Sequence, residues 1–286
     1  MREFVITGYL ISNVGLKHLN NEDSYLMNEV IKETPQHNRE EELVRGKKNV
    51  RWQWAGVFDG MGGGDRGEMA SLMAAEAFRD VLLKGSINAT EQDIDRIVRQ
   101  GYLNANRRIV EERKKHAILG TTATLVCLNE NKAKVFHLGD SRAYLLREGR
   151  MYQLTKDQTL AVLKVEAGIY DVNHPDFVKD NRRLTEFVGA DETMEGLAPT
   201  EGEWITLKAA DKLLLCSDGL THFCTGEEIY TIMQSGNNPR ELTGKLVAAA
   251  LGNGGTDNVT CLVLTVGNGK SCRAEEKENG GETNGN

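Results

Sequence analysis

The chain has 286 residues, 40% apolar and 27% charged, with a net charge of −7. That length can bury a sizeable core, while the acidic balance gives a nucleic-acid partner no electrostatic support. No run of about 18 apolar residues occurs, so no membrane span is expected, and MREFVITGYLIS lacks the layout of a secretory signal. Cysteines stand at 127, 216, 224, 261 and 272 with no C-x-x-C pair, which excludes a zinc knuckle or a thioredoxin-like motif. Cys127, Cys216 and Cys261 lie inside apolar runs, as free thiols in a core do. A reducing compartment and a cytoplasmic location are expected. The cluster Arg113-Lys114-Lys115 reads as a solvated helix end.

A strand is predicted over Phe4–Ser12. The polar stretch 31–49 (IKETPQHNREEELVRGKKN) reads as a loop. A buried strand follows over Arg51–Phe58 and ends at Asp59. Apolar spacing through Ala70, Met73, Ala74, Ala77, Phe78 and Val81 predicts a helix over Glu68–Lys84, closed by Gly85. A second helix is predicted over Glu91–Lys115, capped by Thr90. Short strands come next at 122–128, 133–138, 142–147 and 151–154, with hairpin turns between them. The segment 156–201 is mixed, with a helical fragment near Leu160–Ala167. Strands at 203–207 and 212–217, helices at 227–234 and 240–250, and a strand at 258–266 complete the folded part. Beyond Gly267 the composition is polar and glycine-rich, and a disordered tail over 268–286 is expected. Clustered antiparallel strands with paired helices do not alternate as a doubly wound sheet does. They suit two stacked sheets flanked by helices.

Residues 57–67 read VFDGMGGGDRG, with five glycines from Gly60 to Gly67. Gly62 to Gly67 formally matches the dinucleotide pattern G-x-G-x-x-G. Asp59, however, would aim a carboxylate at a pyrophosphate, and the following helix leads to another helix rather than to a strand with a ribose-binding acid. A phosphate-binding P-loop fails because Glu68 stands where lysine must follow Gly67. A metal site accounts for more. Asp140 follows VFHLG, Asp218 follows KLLLCS, Asp257 precedes NVTCLVL, and Glu22-Asp23 sits in NNEDSY. Any one of these acids reads as a turn residue or helix cap. Several gathered at one sheet edge would repel unless a cation neutralised them, and hard oxygen donors suit Mg²⁺ or Mn²⁺.

The stretches NNEDSY, VFDGMGG, GTTATLV, HLGDSRAYLLREGRMYQLTKD, LLLCSDGLT and GTDNVTCLVL, in that order and spacing, resemble the metal-dependent serine/threonine protein phosphatases of the PPM family (type 2C) from about Gly8 to Val266. The resemblance implies an α+β fold, a four-layer α-β-β-α sandwich of two mainly antiparallel sheets flanked by helix pairs. It implies a catalytic domain over 1–267 with a flap at about 156–190. It implies two Mn²⁺ or Mg²⁺ ions, with a third, weaker site. Asp59 would bridge both ions and the Gly60 carbonyl would help hold one. Asp218 and Asp257 would bind the first ion, Glu22 and Asp23 would serve the second, and Asp140 with Asp218 the third. Two divalent ions roughly 3.5–4 Å apart lower the pKa of a shared water and clamp phosphate oxygens. Gly120, Thr121 and Thr122 would support the sheet beneath, and Asn258 would orient Asp257. The implied substrates are phosphorylated proteins, targets of a serine/threonine kinase, and the implied state is a monomer.

The sequence departs from the family at three places. His18, preceded by Lys17, stands where an arginine usually forks onto the substrate phosphate. Lys17 or His18 could replace it, Arg142 or Arg182 could reach in, or the grip could be weak; His18 as a metal ligand is a further reading. The weak-grip reading leads to an alternative, a non-catalytic phosphoprotein-binding or scaffold domain. Met61 follows Asp59-Gly60 where many eukaryotic members carry histidine, and resembles the bacterial branch. Gln158 replaces a frequent histidine. Arg182-Arg183 in the flap reads as plain surface charge or as a contact for an acidic substrate segment, and 31–49 as a further place for partner specificity.

Overall fold

A computed structural model describes residues 4–33, 39–43, 51–62, 66–113, 119–190 and 199–268. In chain order its elements are β1 (Phe4–Asn13), β2 (Asp23–Met27), β3 (Val30–Ile31), β4 (Arg39–Leu43), β5 (Gln53–Gly62), α1 (Gly67–Gly85), α2 (Glu91–Arg113), β6 (Leu119–Thr121), β7 (Ala123–Asn129), β8 (Lys132–Leu138), β9 (Arg142–Arg147), β10 (Arg150–Gln153), α3 (Leu160–Glu166), α4 (Phe177–Asn181), β11 (Thr200–Glu201), β12 (Ile205–Thr206), β13 (Lys212–Cys216), α5 (Asp218–Thr221), α6 (Gly226–Gln234), α7 (Pro239–Gly252) and β14 (Val259–Asn268). No helix among the described residues is long and apolar enough to cross a membrane.

Two antiparallel sheets carry the fold. One has the order β10-β9-β13-β14-β1-β4; the other has the order β11-β8-β7-β5-β2-β3, with β12 also on β8 and β6 on β5. Alternation along each strand sorts side chains into separate cores. On β5, Ala55 and Val57 face the gap between the sheets, while Trp54 and Phe58 face α1 and α2. On β13, Leu213 and Leu215 enter the same gap, while Leu214 and Cys216 pack under α5–α7. Strands buried on both faces read as unbroken apolar runs for this reason. Three apolar layers between four structural ones make the α-β-β-α sandwich.

Several sequence expectations change. The stretch 31–49 is not all loop: β4 pairs with β1 through Gly8↔Leu43 to Ser12↔Arg39. The chain therefore crosses from one sheet to the other and back between β3 and β5. Asp59 does not end its strand. β5 runs on to Gly62 because Gly60, Met61 and Gly62 pair with Thr121, Gly120 and Leu119. Gly85 lies inside α1, and Ser86 is the C-cap in right-handed conformation. The Thr90 cap works through Asp93, whose carboxylate accepts from the Thr90 amide at 3.0 Å and hydroxyl at 2.7 Å; these bonds lower the Asp93 carboxyl to about 2. The expected strand over 203–207 shrinks to Ile205–Thr206, and α4 and α5 are additions. Residues 63–65, 114–118, the tail 269–286 and most of 31–49 lie outside the described residues.

A candidate metal centre at the rim of the sandwich

The gap between the sheets turns from aliphatic to polar at one rim. Period-two alternation places Asp59 on the face of Ala55 and Val57, and Asp23 on the face of Tyr25 and Met27. The two acids are also opposite partners in the β2–β5 ladder. Ser217 continues the face of Leu213 and Leu215, and its hydroxyl donates to Asp23 Oδ2 at 2.7 Å. From the neighbouring strands Ser12 and Thr260 meet at 2.8 Å. Replacing core aliphatics by hydroxyls and carboxylates at the ends of five strands is what makes this rim a site.

Main-chain contacts hold the acids. The Asp59 amide donates to Thr122 Oγ1 at 2.9 Å, and the Asp59 carbonyl accepts from the Thr122 amide at 2.8 Å and the Thr121 hydroxyl at 2.8 Å. The expected supporting role of Thr121 and Thr122 takes this form. The Asn258 side chain accepts from the Glu22 amide at 2.7 Å and donates to the carbonyls of Val14 and Asn20. It ties down the 14–22 loop; only its main-chain amide meets the Asp257 carboxylate, at 2.9 Å. Gly15, at φ +74°, lies so close to the Asp257 carbonyl that a Cβ there would stand 2.0 Å from it, so glycine is required where this loop crosses the 255–257 segment. Gly67 has a similar role: a Cβ on it would lie 2.4 Å from Glu22 Oε2 and 2.7 Å from the Gly60 carbonyl oxygen. Those two oxygens therefore converge beside α1.

Electrostatics mark the cluster. Asp59 is pushed up by burial, then by Asp218, Asp23, Asp140 and Asp257. Asp140 is pushed up by burial, then by Asp218 and Asp157. Asp218 is raised by burial and by Asp257, against a lowering from His222, and its carboxyl bonds to that of Asp59. Burial, partly offset by the Ser217 and Thr260 hydroxyls, raises Asp23 to about 7. Five acids separated in sequence thus feel one another's charge, which costs free energy until a cation relieves it. The donors are carboxylate oxygens with a convergent main-chain carbonyl, the set that suits Mg²⁺ or Mn²⁺. Asp218, His222 and Asp257 form one compact group, with one donor atom from each within 4.8 Å of the others.

Lys32, from the end of β3, is buried behind the Glu22-Asp23 pair. Its ammonium donates to the carbonyls of Asn21 at 2.5 Å and Asp23 at 2.9 Å, and burial lowers it to about 8. No sequence pattern announced this lysine. His222 was also missed, although its position four residues after Asp218 places both on one helical face.

The residues weighed for phosphate binding divide. Lys17 is exposed. His18 lies at the rim, its Nε2 3.5 Å from Asp257 Oδ1. Arg142 is engaged elsewhere: its Nε and Nη2 fork onto Asp157 at 2.8 and 2.6 Å, and Nη1 reaches the Tyr144 hydroxyl at 3.1 Å. This arginine holds β9 to the segment leading into α3 instead of reaching for substrate. Arg142→Ala is expected to destabilise the protein by about 3 kcal/mol, since Asp157 is left buried without its partner; urea denaturation measures this. An unchanged midpoint with a raised KM would return Arg142 to the phosphate. Arg182 is exposed and Arg183 lies 4.0 Å from Asp180. Gln158 has a structural part: its Oε1 accepts from the Gly139 amide at 2.6 Å, beside Asp140, while Nε2 reaches Glu186 and Thr200 at 3.3 Å. It joins the Asp140 turn to the flap.

Comparison with known proteins agrees with this geometry. The profile of the family described as "Protein phosphatase 2C" matches residues 21–164. The serine/threonine phosphatase stp of Listeria welshimeri is 29% identical over 213 residues, covering 73% of this chain and 82% of that protein. The serine/threonine protein phosphatase PstP of Mycobacterium tuberculosis is 35% identical over 216 residues, covering 73% of this chain and 40% of that longer protein. A crystal structure of the PstP catalytic domain, in complex with two manganese ions, superposes with a TM-score of 0.71 at 27% identity, covering 93% of this chain and 100% of that domain. With its sandwich, its acidic rim and half its length matched to one profile, this chain belongs to the protein phosphatase 2C family.

Proposed function

We propose that the chain hydrolyses phosphoserine and phosphothreonine in proteins, with the rim acids as a binuclear metal centre. The carrying observation is the convergence of Asp23, Asp59, Asp140, Asp218 and Asp257, in which burial and the neighbouring carboxylates raise the pKa values of the first four. Asp59, in contact with Asp218 and paired with Asp23 across the β2–β5 ladder, would serve both ions. Asp218 and Asp257 hold one ion. The Gly60 carbonyl and Glu22, which converge beside Gly67, hold or orient the other, with Asp23 behind them. Asp140 and Asp218 form the third, weaker site. Two Mn²⁺ or Mg²⁺ ions bound there supply an activated water for in-line attack on phosphorus and neutralise the phosphate oxygens.

The remaining parts belong to the chain. Thr121, Thr122 and Asn258 fix the backbone under the acids, so the carboxylates need not reorganise during reaction. Lys17 and His18 present positive or hydrogen-bonding groups to the substrate phosphate from the loop anchored on 255–257. Met61 offers no proton to a leaving group. Residues 1–267 form the catalytic domain, which acts as a monomer on targets of a serine/threonine kinase in the cytoplasm.

A phosphothreonine peptide and p-nitrophenyl phosphate, assayed with Mn²⁺ and again after EDTA, test this. Turnover should require the metal and return when Mn²⁺ is resupplied. Turnover indifferent to EDTA would falsify the metal reading. Tight phosphopeptide binding without turnover at any Mn²⁺ concentration would instead favour the scaffold alternative suggested by His18.

A further inference from the structure

We propose that His222 is a nitrogen ligand to the ion held by Asp218 and Asp257, making that half of the centre a mixed nitrogen–oxygen site that discriminates against Mg²⁺. The proposal rests on the metal-centre reading above and adds a residue type to it. His222 follows α5 by one position and stands one helical turn from Asp218, where i and i+4 side chains share a face. The turn is held by the His222 amide donating to the Asp218 carbonyl at 2.8 Å and by Asn253 Nδ2 donating to the Phe223 carbonyl at 2.8 Å. The imidazole is thereby delivered to the carboxylates, Nδ1 lying 3.2 Å from Asp218 Oδ2 with a quarter of the side chain exposed.

A plain ion pair explains less. One imidazolium offsets one negative charge, yet its ring lies near both Asp218 and Asp257, and the Asp59 carboxyl also bonds to Asp218. An imidazole with two carboxylates is instead a three-donor face with atoms within 4.8 Å of one another, a donor set suited to a single divalent ion. Imidazole favours first-row transition ions over Mg²⁺, whereas a purely carboxylate and carbonyl site accepts either. His18, whose Nε2 lies 3.5 Å from Asp257 Oδ1, is the internal control.

The test is pulsed electron paramagnetic resonance of the full chain loaded with Mn²⁺. The wild type should show nitrogen coupling to the Mn²⁺ spin, His222→Gln should lose it, and His18→Gln should keep it. In competition titrations His222→Asp, which supplies an oxygen donor in place of nitrogen, should lower the Mn²⁺-over-Mg²⁺ preference at least about tenfold. Bound Mn²⁺ without nitrogen coupling overturns the assignment and leaves the metal centre standing. Coupling that survives His222→Gln and vanishes in His18→Gln transfers the role to His18. If no Mn²⁺ binds, both readings fall.

Discussion

In the Asp59→Asn variant, hydrolysis of a phosphothreonine peptide at saturating Mn²⁺ is expected to fall by about 10³-fold or more. Asp59 contacts Asp218 directly and pairs with Asp23 across the sheet, so in the proposed centre it is the acid that would touch both ions. Altering residues that merely support a ligand typically costs about 10–100-fold; removing the bridge costs more, because it takes charge from both ions at once. Asparagine keeps the shape and the backbone bonds to Thr121 and Thr122, so the loss reads on charge instead of folding. Steady-state rates with Mn²⁺ titrated over a wide range decide it. Activity within tenfold of wild type would remove Asp59 from the centre.

The same substitution should act in the opposite direction on stability. Without metal, Asp59→Asn is expected to melt about 5 °C above wild type at pH 7.5, corresponding to roughly 2 kcal/mol of relieved desolvation and repulsion. Burial and four neighbouring acids raise the folded-state pKa of Asp59 above its unfolded value of 3.8. A raised carboxyl stabilises the fold fully below pH 3.8, and that contribution disappears as pH rises towards the folded value. Asparagine does not titrate, so the gap between the proteins should widen from about pH 4 upward and shrink on acidification. Excess Mn²⁺ should reverse the order at neutral pH by binding the wild type more tightly. Melting curves in EDTA and in Mn²⁺ between pH 4.5 and 8 measure both effects. A gap that stays constant with pH would show that Asp59 ionises normally.

The sequence carried most of the sandwich because its central strands are buried on both faces. β7 and β13 read as apolar runs, and α1 and α2 showed their stripes. What it could not carry were elements held by partners remote in the chain. β4 is REEEL, a charged pentamer that becomes a strand through main-chain bonds to β1. The extension of β5 to Gly62 depends on β6, which lies two helices later. The candidate site divides the same way. Its acids stood out because each interrupts or abuts an apolar run. Arg142 could not be separated from a phosphate-binding arginine until Asp157 was found on its fork. Lys32, in a polar stretch, had no pattern at all, and its partners are main-chain carbonyls that a sequence does not display.

That lysine bears on the order of events in the life of the protein. Because Lys32 belongs to the chain and follows the strand that pairs with β2, part of the compensation for Glu22 and Asp23 is built into the fold. The newly made polypeptide is therefore expected to reach its native topology in a metal-poor environment and to take up the ions of the proposed centre afterwards. With the proposed centre, cation supply would then set when the protein switches on, separately from whether it survives.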